Sequence, residues 1–263
     1  MKKYYRVFLL YLQELTEYRF NLVGQSLMWF IPLIGLYYVW QTIYSRQELF
    51  GSYNREQMIT YYLLISFLSG MIQSSSYWPI SQEIERGELT KYILRPVSYV
   101  FYHFSLNVAR RFTRIVVLLT LIVFLRFFLP GIFVLPTASY MFAFIVSVVF
   151  GFIMYYLIAV LIGFTAFWLV RAAGLVVSLE MLSMFLSGLF IPLDLLPEFF
   201  EKMSSLLPFQ YGLYFSVKVF LTEFTTSQII TGLFMQIFWI AVLVSLLRCM
   251  WSGGLKSYES VGI

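Results

Sequence analysis

The sequence predicts an all-α polytopic membrane protein with six transmembrane helices, and its composition carries that prediction. Hydrophobic residues make up 60% of the 263 residues, whereas charged residues make up only 12%. The mean hydropathy is +0.81. Soluble domains contain about twice this charged fraction and fewer apolar residues. Lipid is therefore the solvent that suits most of this surface, and we expect a single transmembrane domain over residues 1–263.

Uncharged stretches locate the helices, because a charge at the centre of a transmembrane helix costs about 2.5–3.5 kcal/mol. Residues 20–45 and 57–82 carry no Asp, Glu, Lys or Arg, and each stretch can hold one crossing of about 20 residues. The other predicted crossings are Ile115–Leu125, Ala138–Val170, Ala172–Ile191 and Phe224–Leu247. The third reaches crossing length only if Arg114 and Arg126 extend to the headgroups, and the fourth is long enough to tilt.

The distribution of Lys and Arg predicts the orientation of these helices. With the amino terminus inside, the inner segments hold 13 of these cations: four in residues 1–19, six in 81–114, Arg171 and two from Arg248 onward. The outer segments hold the other five. This positive-inside bias predicts a multi-pass membrane protein with both termini in the cytoplasm. The net charge of +5 follows from that bias, so it does not indicate a nucleic-acid partner.

Residues 1–19 are expected to form an amphipathic interfacial helix. One face of that helix carries the apolar residues Tyr5, Phe8, Leu9, Leu12 and Leu15. The pattern allows two placements. The helix can lie on the inner membrane surface, or it can pack on the cytoplasmic surface of the protein itself.

The cytoplasmic loop at 81–112 has the most informative charge pattern in the chain. Its first part clusters three carboxylates and three cations around Gly87, namely Glu83, Glu85, Glu88, Arg86, Lys91 and Arg95. From Glu88 the spacing predicts a short helix with Leu89, Tyr92 and Ile93 on one side, which Pro96 ends. A charged helix held between two crossings suits docking into a groove of a soluble partner. A solvated loop that only satisfies the positive-inside rule is the alternative.

Three arginines, Arg110, Arg111 and Arg114, follow in the same region. They can anchor the third crossing to lipid headgroups, or they can contact a partner or an anionic substrate. Farther along, Glu180 is the one carboxylate well inside an apolar stretch. It predicts either a wall of a transport pathway or an interhelical hydrogen bond to Ser, Thr or Gln. Ser183 and Ser187 lie nearby and allow close helix packing, including packing with a second copy of the chain.

Residues 192–223 predict a segment on the outer side between the fifth and sixth crossings. Asp194 is placed to cap a short helix that has Pro197 near its first turn and ends at Pro208. That helix is too short to cross, so we expect it to dip into the outer leaflet or lie on it.

The chain lacks the motifs of common enzymes. Neither a P-loop nor a dinucleotide-binding glycine motif is present, and neither H-E-x-x-H nor G-x-S-x-G occurs. We therefore expect no catalytic, cofactor or metal site in this chain.

The sequence resembles the membrane subunits of type-2 ABC transporters over nearly its whole length. Glu83–Pro96 is similar to the cytoplasmic loop of that family, where an acidic–Gly–x–Leu stretch precedes Leu–x–Arg–Pro. Ser187–Pro192, Leu196-Pro197 and Leu207-Pro208-Phe209 are similar to its outer segment. Trp251–Gly262 is similar to the tail of a bacterial branch whose ATPase is a separate chain.

The resemblance implies an exporter of the bacterial cytoplasmic (inner) membrane. This exporter is built from two permeases, identical or paralogous, and two ABC ATPase subunits that bind ATP and Mg²⁺. It implies that the loop contacts the ATPase through Glu83, Glu85, Gly87, Glu88, Leu89, Lys91 and Arg95. It also implies a pathway or dimer seam at Glu180, Ser183 and Ser187, and an outer re-entrant gate at Pro192, Asp194, Pro197 and Pro208. A non-transporting membrane scaffold or assembly factor is the alternative function.

Overall fold

A computed structural model describes residues 2–17, 24, 31–46, 48–128, 136–169 and 173–258. The regular elements within these residues are helices, which agrees with the predicted all-α class. Numbered in chain order, the α-helices are α1 Lys2–Glu17, α2 Ile31–Tyr44, α3 Arg55–Ile72, α4 Tyr77–Glu85, α5 Thr90–Ile93, α6 Tyr99–Phe128, α7 Ala138–Phe164, α8 Ala173–Leu186, α9 Glu198–Ser205, α10 Phe209–Gly212, α11 Tyr214–Phe220 and α12 Thr226–Ser257. Two short 3₁₀ helices are Thr165–Phe167 and Leu193–Leu195.

Two of the described helices are long and apolar enough to cross a membrane. They are Ala138–Phe167 and Thr226–Ser257, with mean hydropathies of 2.7 and 2.3. They match the predicted fourth and sixth crossings. A shorter apolar helix, Gly174–Leu186, lies within the predicted fifth crossing. The predicted first crossing falls partly on residues 20–23 and 25–30, which lie outside the described residues.

The uncharged stretch 57–82, which is predicted to hold the second crossing, is not one continuous helix. α3 ends at Ile72 and α4 begins at Tyr77, with non-helical backbone at Gln73, Ser74 and Ser75 between them. Three consecutive serines explain the break, because their hydroxyls compete with the backbone for hydrogen bonds. Apolarity alone could not reveal this interruption.

Polar side chains of α6 pack against the break between α3 and α4, and they donate hydrogen bonds to hydroxyl and carbonyl groups there. Asn107 donates from its amide to the hydroxyls of Ser74 and Ser76. Arg111 is buried and donates to the Gly70 carbonyl near the end of α3, at 3.1 Å. A cation there also suits the negative end of the helix dipole. The predicted headgroup role is therefore wrong for Arg111, while the side chain of Arg114 lies outside the described residues.

α7 is the helix around which the others are arranged. It runs parallel to α12, and the Gln236 amide crosses between them to the Ser147 carbonyl at 2.9 Å. It runs antiparallel to α6, with the rings of Phe104 and Phe152 5.9 Å apart. Consequently the start of α6 and the ends of α7 and α12 meet at one end of the bundle, where Tyr99 contacts both Phe164 and Trp251.

The amino-terminal helix α1 packs on the protein itself, along the first half of α6. Tyr4 lies 5.9 Å from Phe101, ring centroid to ring centroid, and the Tyr11 hydroxyl accepts a 3.1 Å hydrogen bond from Arg110. The contacting face is thus rotated from the predicted one, because Tyr5, predicted to be on the apolar face, is 62% exposed. The structure thus places α1 against α6 of the same chain.

Close approach between α7 and α10 requires glycine at position 151. A Cβ added there would lie 2.7 Å from the Gly212 carbonyl oxygen, and the opposing group is backbone that cannot rotate away. We expect Gly151→Ala to destabilise the protein by about 1–3 kcal/mol, because the two helices must separate. The measurement is the unfolding midpoint of the detergent-solubilised protein. Gly35→Ala is the matched control, since no described atom lies within 4 Å of its added Cβ. A Gly151→Ala midpoint equal to that of Gly35→Ala would contradict the prediction.

Candidate functional site

The loop between α4 and α6 is folded around a left-handed glycine. α4 ends at Glu85, and Gly87 follows with a φ of 74°, which only glycine adopts without strain. The Glu88 amide donates to the Glu83 carbonyl at 2.9 Å, and the Gly87 amide donates to the Ile84 carbonyl at 3.1 Å. These two bonds form a Schellman motif that ends α4 and sets the direction of the chain. The predicted helix beyond Glu88 is present only as the single turn α5, so it is shorter than expected.

The inner side of this loop is anchored in the protein. Leu89 is fully buried, and the Glu83 carboxylate accepts hydrogen bonds from Tyr99 at 2.8 Å and Tyr92 at 3.2 Å. His103 Nε2 lies 3.0 Å from the same carboxylate. We call Glu83, Tyr92, Tyr99 and His103 the Glu83 cluster. It links α4, α5 and α6, so Glu83 is a residue that holds the loop and not one that faces a partner.

The Glu83 cluster favours the ionised carboxylate. Burial by itself raises the pKa of the Glu83 carboxyl. The hydrogen bond and charge of His103 and the hydrogen bonds of Tyr99 and Tyr92 lower that pKa by more than burial raises it, so the net pKa lies below its ordinary value. Glu83 therefore stays negatively charged at neutral pH, and it binds the three donors most strongly in that state.

The outer side of the loop carries the remaining charges. Glu85, Glu88, Lys91 and Arg95 are exposed, and Lys91 forms an ion pair with Glu88 at 2.6 Å. The Glu88 carboxylate raises the pKa of Lys91. The predicted apolar face is only partly correct, because Ile93 is 49% exposed beside the charges. The loop thus presents a mixed charged and apolar surface on a rigidly anchored base.

Glu180 lies beside the break between α3 and α4. It lines a cavity of about 30 Å³ together with Gln73, Ser74, Tyr77 and Ser183. Tyr77 of α4 and Glu180 of α8 face the same cavity, so the polar groups next to the carboxylate include a tyrosine as well as the expected Ser and Gln. Among the described residues, the buried Gln73 Nε2 has no hydrogen-bond partner. A cavity of this size has room for water, which suits these polar groups.

Ser183 and Ser187 are buried within this single chain. Their exposed fractions are 7% and 0%, and each donates to a carbonyl of its own helix turn. They pack inside the protein, so the structure does not leave them on a surface open to a second copy. The exposed large apolar residues of α8 are instead Leu175, Val177, Met181 and Leu182.

The opposite end of the bundle is organised by Lys218. Its side chain is only 6% exposed and lies 2.9 Å from Asp194, and it also pairs with Glu223. The Tyr53 ring centroid is 4.6 Å from the Lys218 ammonium, and the Tyr53 hydroxyl donates to Asp194. We call Lys218, Asp194, Glu223 and Tyr53 the Lys218 cluster. Asp194 is therefore an ion-pair partner, and its predicted helix-capping role is wrong because α9 is preceded by Pro197 with no side-chain cap.

Tyr53 joins the Lys218 cluster to the turn that precedes α3, and two tyrosines of α3 hold the residues just before the outer segment. Tyr61 donates to the Gly188 carbonyl and Tyr62 to the Phe190 carbonyl, each at 2.7 Å. Pro192 and Pro208 are buried, whereas Pro197 is exposed. The residues predicted as an outer gate thus stand on a segment that is tied down at several points.

Several residues of these sites were missed by sequence reasoning. His103 lies 20 residues from Glu83, and no local pattern joins them. Lys218 is one of the five cations that the charge count assigns to the outer segments, although it stands in the largely apolar run Phe215–Phe220, every residue of which is buried. A lone cation inside such a run is the same signal that singled out Glu180. In the described ranges no three His, Cys, Asp or Glu side chains converge to hold a metal ion.

Comparison with known proteins identifies one family. A family model described as "ABC-2 family transporter protein" matches residues 30–262. No curated protein and no solved structure matches the chain.

Replacement of Glu83 tests the Glu83 cluster. We expect Glu83→Gln to destabilise the protein by about 2 kcal/mol, because donors that bonded a carboxylate lose a charged acceptor. The pKa of Glu83 is lowered in the folded protein, so its stabilisation is complete above the ordinary carboxyl pKa of 4.5 and is lost as the pH falls through the folded value. The unfolding midpoints of wild type and variant should therefore differ at pH 7 and converge in acid. Glu85→Gln, on the exposed side of the same helix, is the control. A difference that persists unchanged in acid would refute the assigned charge.

Replacement of Lys218 tests the other end of the bundle. We expect Lys218→Met to cost about 3 kcal/mol, because two carboxylates then lose the cation between them. Combining it with Asp194→Asn should restore part of the loss, since one uncompensated charge is removed. Lys202→Met is the control, because Lys202 forms an ion pair with Glu198 in which both side chains are more than 70% exposed. Unfolding midpoints at neutral pH measure all three variants, and equal midpoints for Lys218→Met and Lys202→Met would exclude the structural role of the cluster.

Proposed function

The chain belongs to the ABC-2 family of transporter membrane proteins, and from this premise we propose that it is the permease subunit of an ATP-driven exporter. The proposed assembly pairs it with a second permease and with separate ABC ATPase subunits, which bind ATP and Mg²⁺. The match to the family model covers residues 30–262, and it is the main support for this proposal. The chain itself performs no catalysis in the proposed assembly.

We place six crossings in the bacterial cytoplasmic membrane, with both termini in the cytoplasm. The direction of the described helices supports this count. α2 and α3 contact in antiparallel fashion, with Tyr44 bonded to the Tyr53 carbonyl. α6 is antiparallel to α7, and α7 is parallel to α12. An alternating path through the bilayer requires such directions. The excess of Lys and Arg in the loop and at the termini supports the orientation.

The loop between α4 and α6 is the proposed contact with the ATPase. Gly87, Leu89 and the Glu83 cluster fix its inner side, so a force applied to the outer side passes directly to α4 and α6. Glu85, Glu88 and Lys91 supply the charges for docking on the exposed surface. An exposed charged surface on a rigid base is what a coupling element needs, since a flexible loop would absorb the motion of its partner. ATP-driven closure of the ATPases would then rock the paired permeases.

Glu180 and the broken helix between α3 and α4 form the proposed wall of the pathway. Interrupted helices are tolerated at membrane depth where they line a cavity, and here Gln73 and Ser74 line one with Glu180. The exposed residues of α8, Val177 and Met181, are then available to the second permease. The outer segment, held by the Lys218 cluster, is the proposed gate.

Charge reversal in the loop tests the proposed function. We expect Glu88→Lys combined with Lys91→Glu to reduce co-purification of the ATPase and transport-coupled ATP hydrolysis at least roughly tenfold, because like charges are brought against the partner surface. The ion pair within the loop is retained, so folding should be unaffected. Reversal of the Glu198–Lys202 pair is the matched control, because it has the same 2.6 Å length but lies in the outer segment.

Two outcomes would contradict the proposal. If no ABC ATPase accompanies the wild-type chain on gentle purification from native membranes, the exporter assignment fails and a scaffold role is favoured. If the ATPase is retained equally by both reversed variants, the exporter assignment stands but the loop is not its coupling contact.

A further inference from the structure

A large cleft at the loop end of the bundle is not used by the proposed coupling or pathway. Its volume is about 750 Å³, within the range of about 300–1,000 Å³ typical of ligand sites. It lies where α6 begins and where α7 and α12 approach their ends. Its walls are largely apolar and aromatic, and they include Phe101, Phe104, Ile153, Leu157, Val244 and Leu247. We call this space the inner cleft.

The polar rim of the inner cleft is cationic. Arg95 and Arg248 line it, and no Asp or Glu is among its lining residues. Both arginines are exposed, and neither forms an ion pair with any described carboxylate. By contrast, Lys91, one turn before Arg95, is paired with Glu88. Two guanidinium groups that pair with no described carboxylate, placed at the mouth of an apolar cleft, form a site for an amphipathic anion.

The walls of the inner cleft do not depend on an occupant for their support. Tyr99 and Trp251 stack with their ring centroids 5.6 Å apart at an interplanar angle of 17°. Phe104 packs edge-on against Tyr156 at 5.1 Å, and Tyr156 donates to the Val100 carbonyl. On the other side, Phe101 is 60% exposed, so that wall is accessible from outside the protein. The cleft is therefore preformed and open on one side.

We propose that the inner cleft binds an anionic phospholipid of the cytoplasmic leaflet. Arg95 and Arg248 would hold the phosphate, since guanidinium groups bind phosphate through paired hydrogen bonds. An acyl chain would lie along the apolar walls. Basic pockets between transmembrane helices on the cytoplasmic side suit such headgroups. The inference rests on the proposed function in one respect, which is the placement of this end of the bundle at the cytoplasmic face.

The position of the inner cleft places a bound lipid in contact with the base of the coupling loop. Tyr92 and Tyr99 belong both to the cleft lining and to the Glu83 cluster that anchors the loop. A lipid in the cleft therefore packs against the base of the coupling loop and joins it to the end of α12. Arg95, which the sequence placed among the ATPase contacts, is assigned to the lipid instead.

Lipid titration monitored by native mass spectrometry tests this proposal. The full-length chain, purified in detergent with the partners it retains, is titrated with phosphatidylglycerol and, separately, with phosphatidylcholine of the same acyl chains. We expect tighter binding of phosphatidylglycerol to the wild type. Arg95→Ala combined with Arg248→Ala should weaken it roughly 25-fold, at about fivefold for each arginine. Arg95→Lys combined with Arg248→Lys should recover part of the affinity because the charge is kept.

The control variant removes two other exposed cations from the same loop and the same helix, Arg86→Ala with Lys256→Ala, and it should bind as the wild type does. Equal affinity for the two lipids would overturn the proposal, as would equal loss in the control variant. A photo-crosslinker at Phe101 that joins a protein chain and no lipid would assign the cleft to a protein partner and would also overturn it. Lipid affinity is measured independently of ATP hydrolysis. Loss of lipid binding can therefore be distinguished from loss of coupling to the ATPase.

Discussion

Polar side chains inside this protein depend on partners supplied by the protein itself, because the hydrocarbon core of a bilayer offers neither hydrogen-bond donors nor counter-ions. The buried Arg111 bonds to the carbonyl that the end of α3 leaves open. The fully buried Gln236 joins α12 to α7 through the Ser147 carbonyl and to α10 through the Tyr211 carbonyl. Each of these bonds connects elements far apart in the chain. The requirement to satisfy buried polar groups therefore decides which helices become neighbours.

The same requirement produces two different structures at the two ends of the bundle. At the loop end, the Glu83 carboxylate gathers neutral hydroxyls and one imidazole, so a single anion orients three elements. At the opposite end, the Lys218 ammonium sits between two carboxylates and over an aromatic ring. Both centres lie beneath exposed segments that the proposed transporter must use, the coupling loop and the outer segment. A rigid cluster beneath each of these segments allows a movement of the segment to pass to the helices that hold it.

The break between α3 and α4 forms one side of the polar cavity beside Glu180, which is part of the proposed pathway. A continuous helix would have satisfied its own backbone and left no polar cavity beside Glu180. The interruption instead brings serine, glutamine and tyrosine side chains to the carboxylate. The cost of the lost helical bonds is offset by Asn107 and Arg111 of α6, so the break is a stable feature of the fold. Its location beside α8 places it next to the surface that a second permease would meet.

Composition and charge spacing by themselves determined the helical class, the approximate extent of α7 and α12, and the charged loop between α4 and α6, because long apolar runs and their bounding charges are local properties. Only the tertiary structure decided that Glu83 faces inward to His103 while Glu88 faces outward, although the pattern grouped them. It alone also decided that Asp194 pairs with Lys218, that residues 57–82 are interrupted, and that Arg95 and Arg248 share a cleft. Those outcomes depend on contacts between side chains from different helices, and no period along the sequence encodes them.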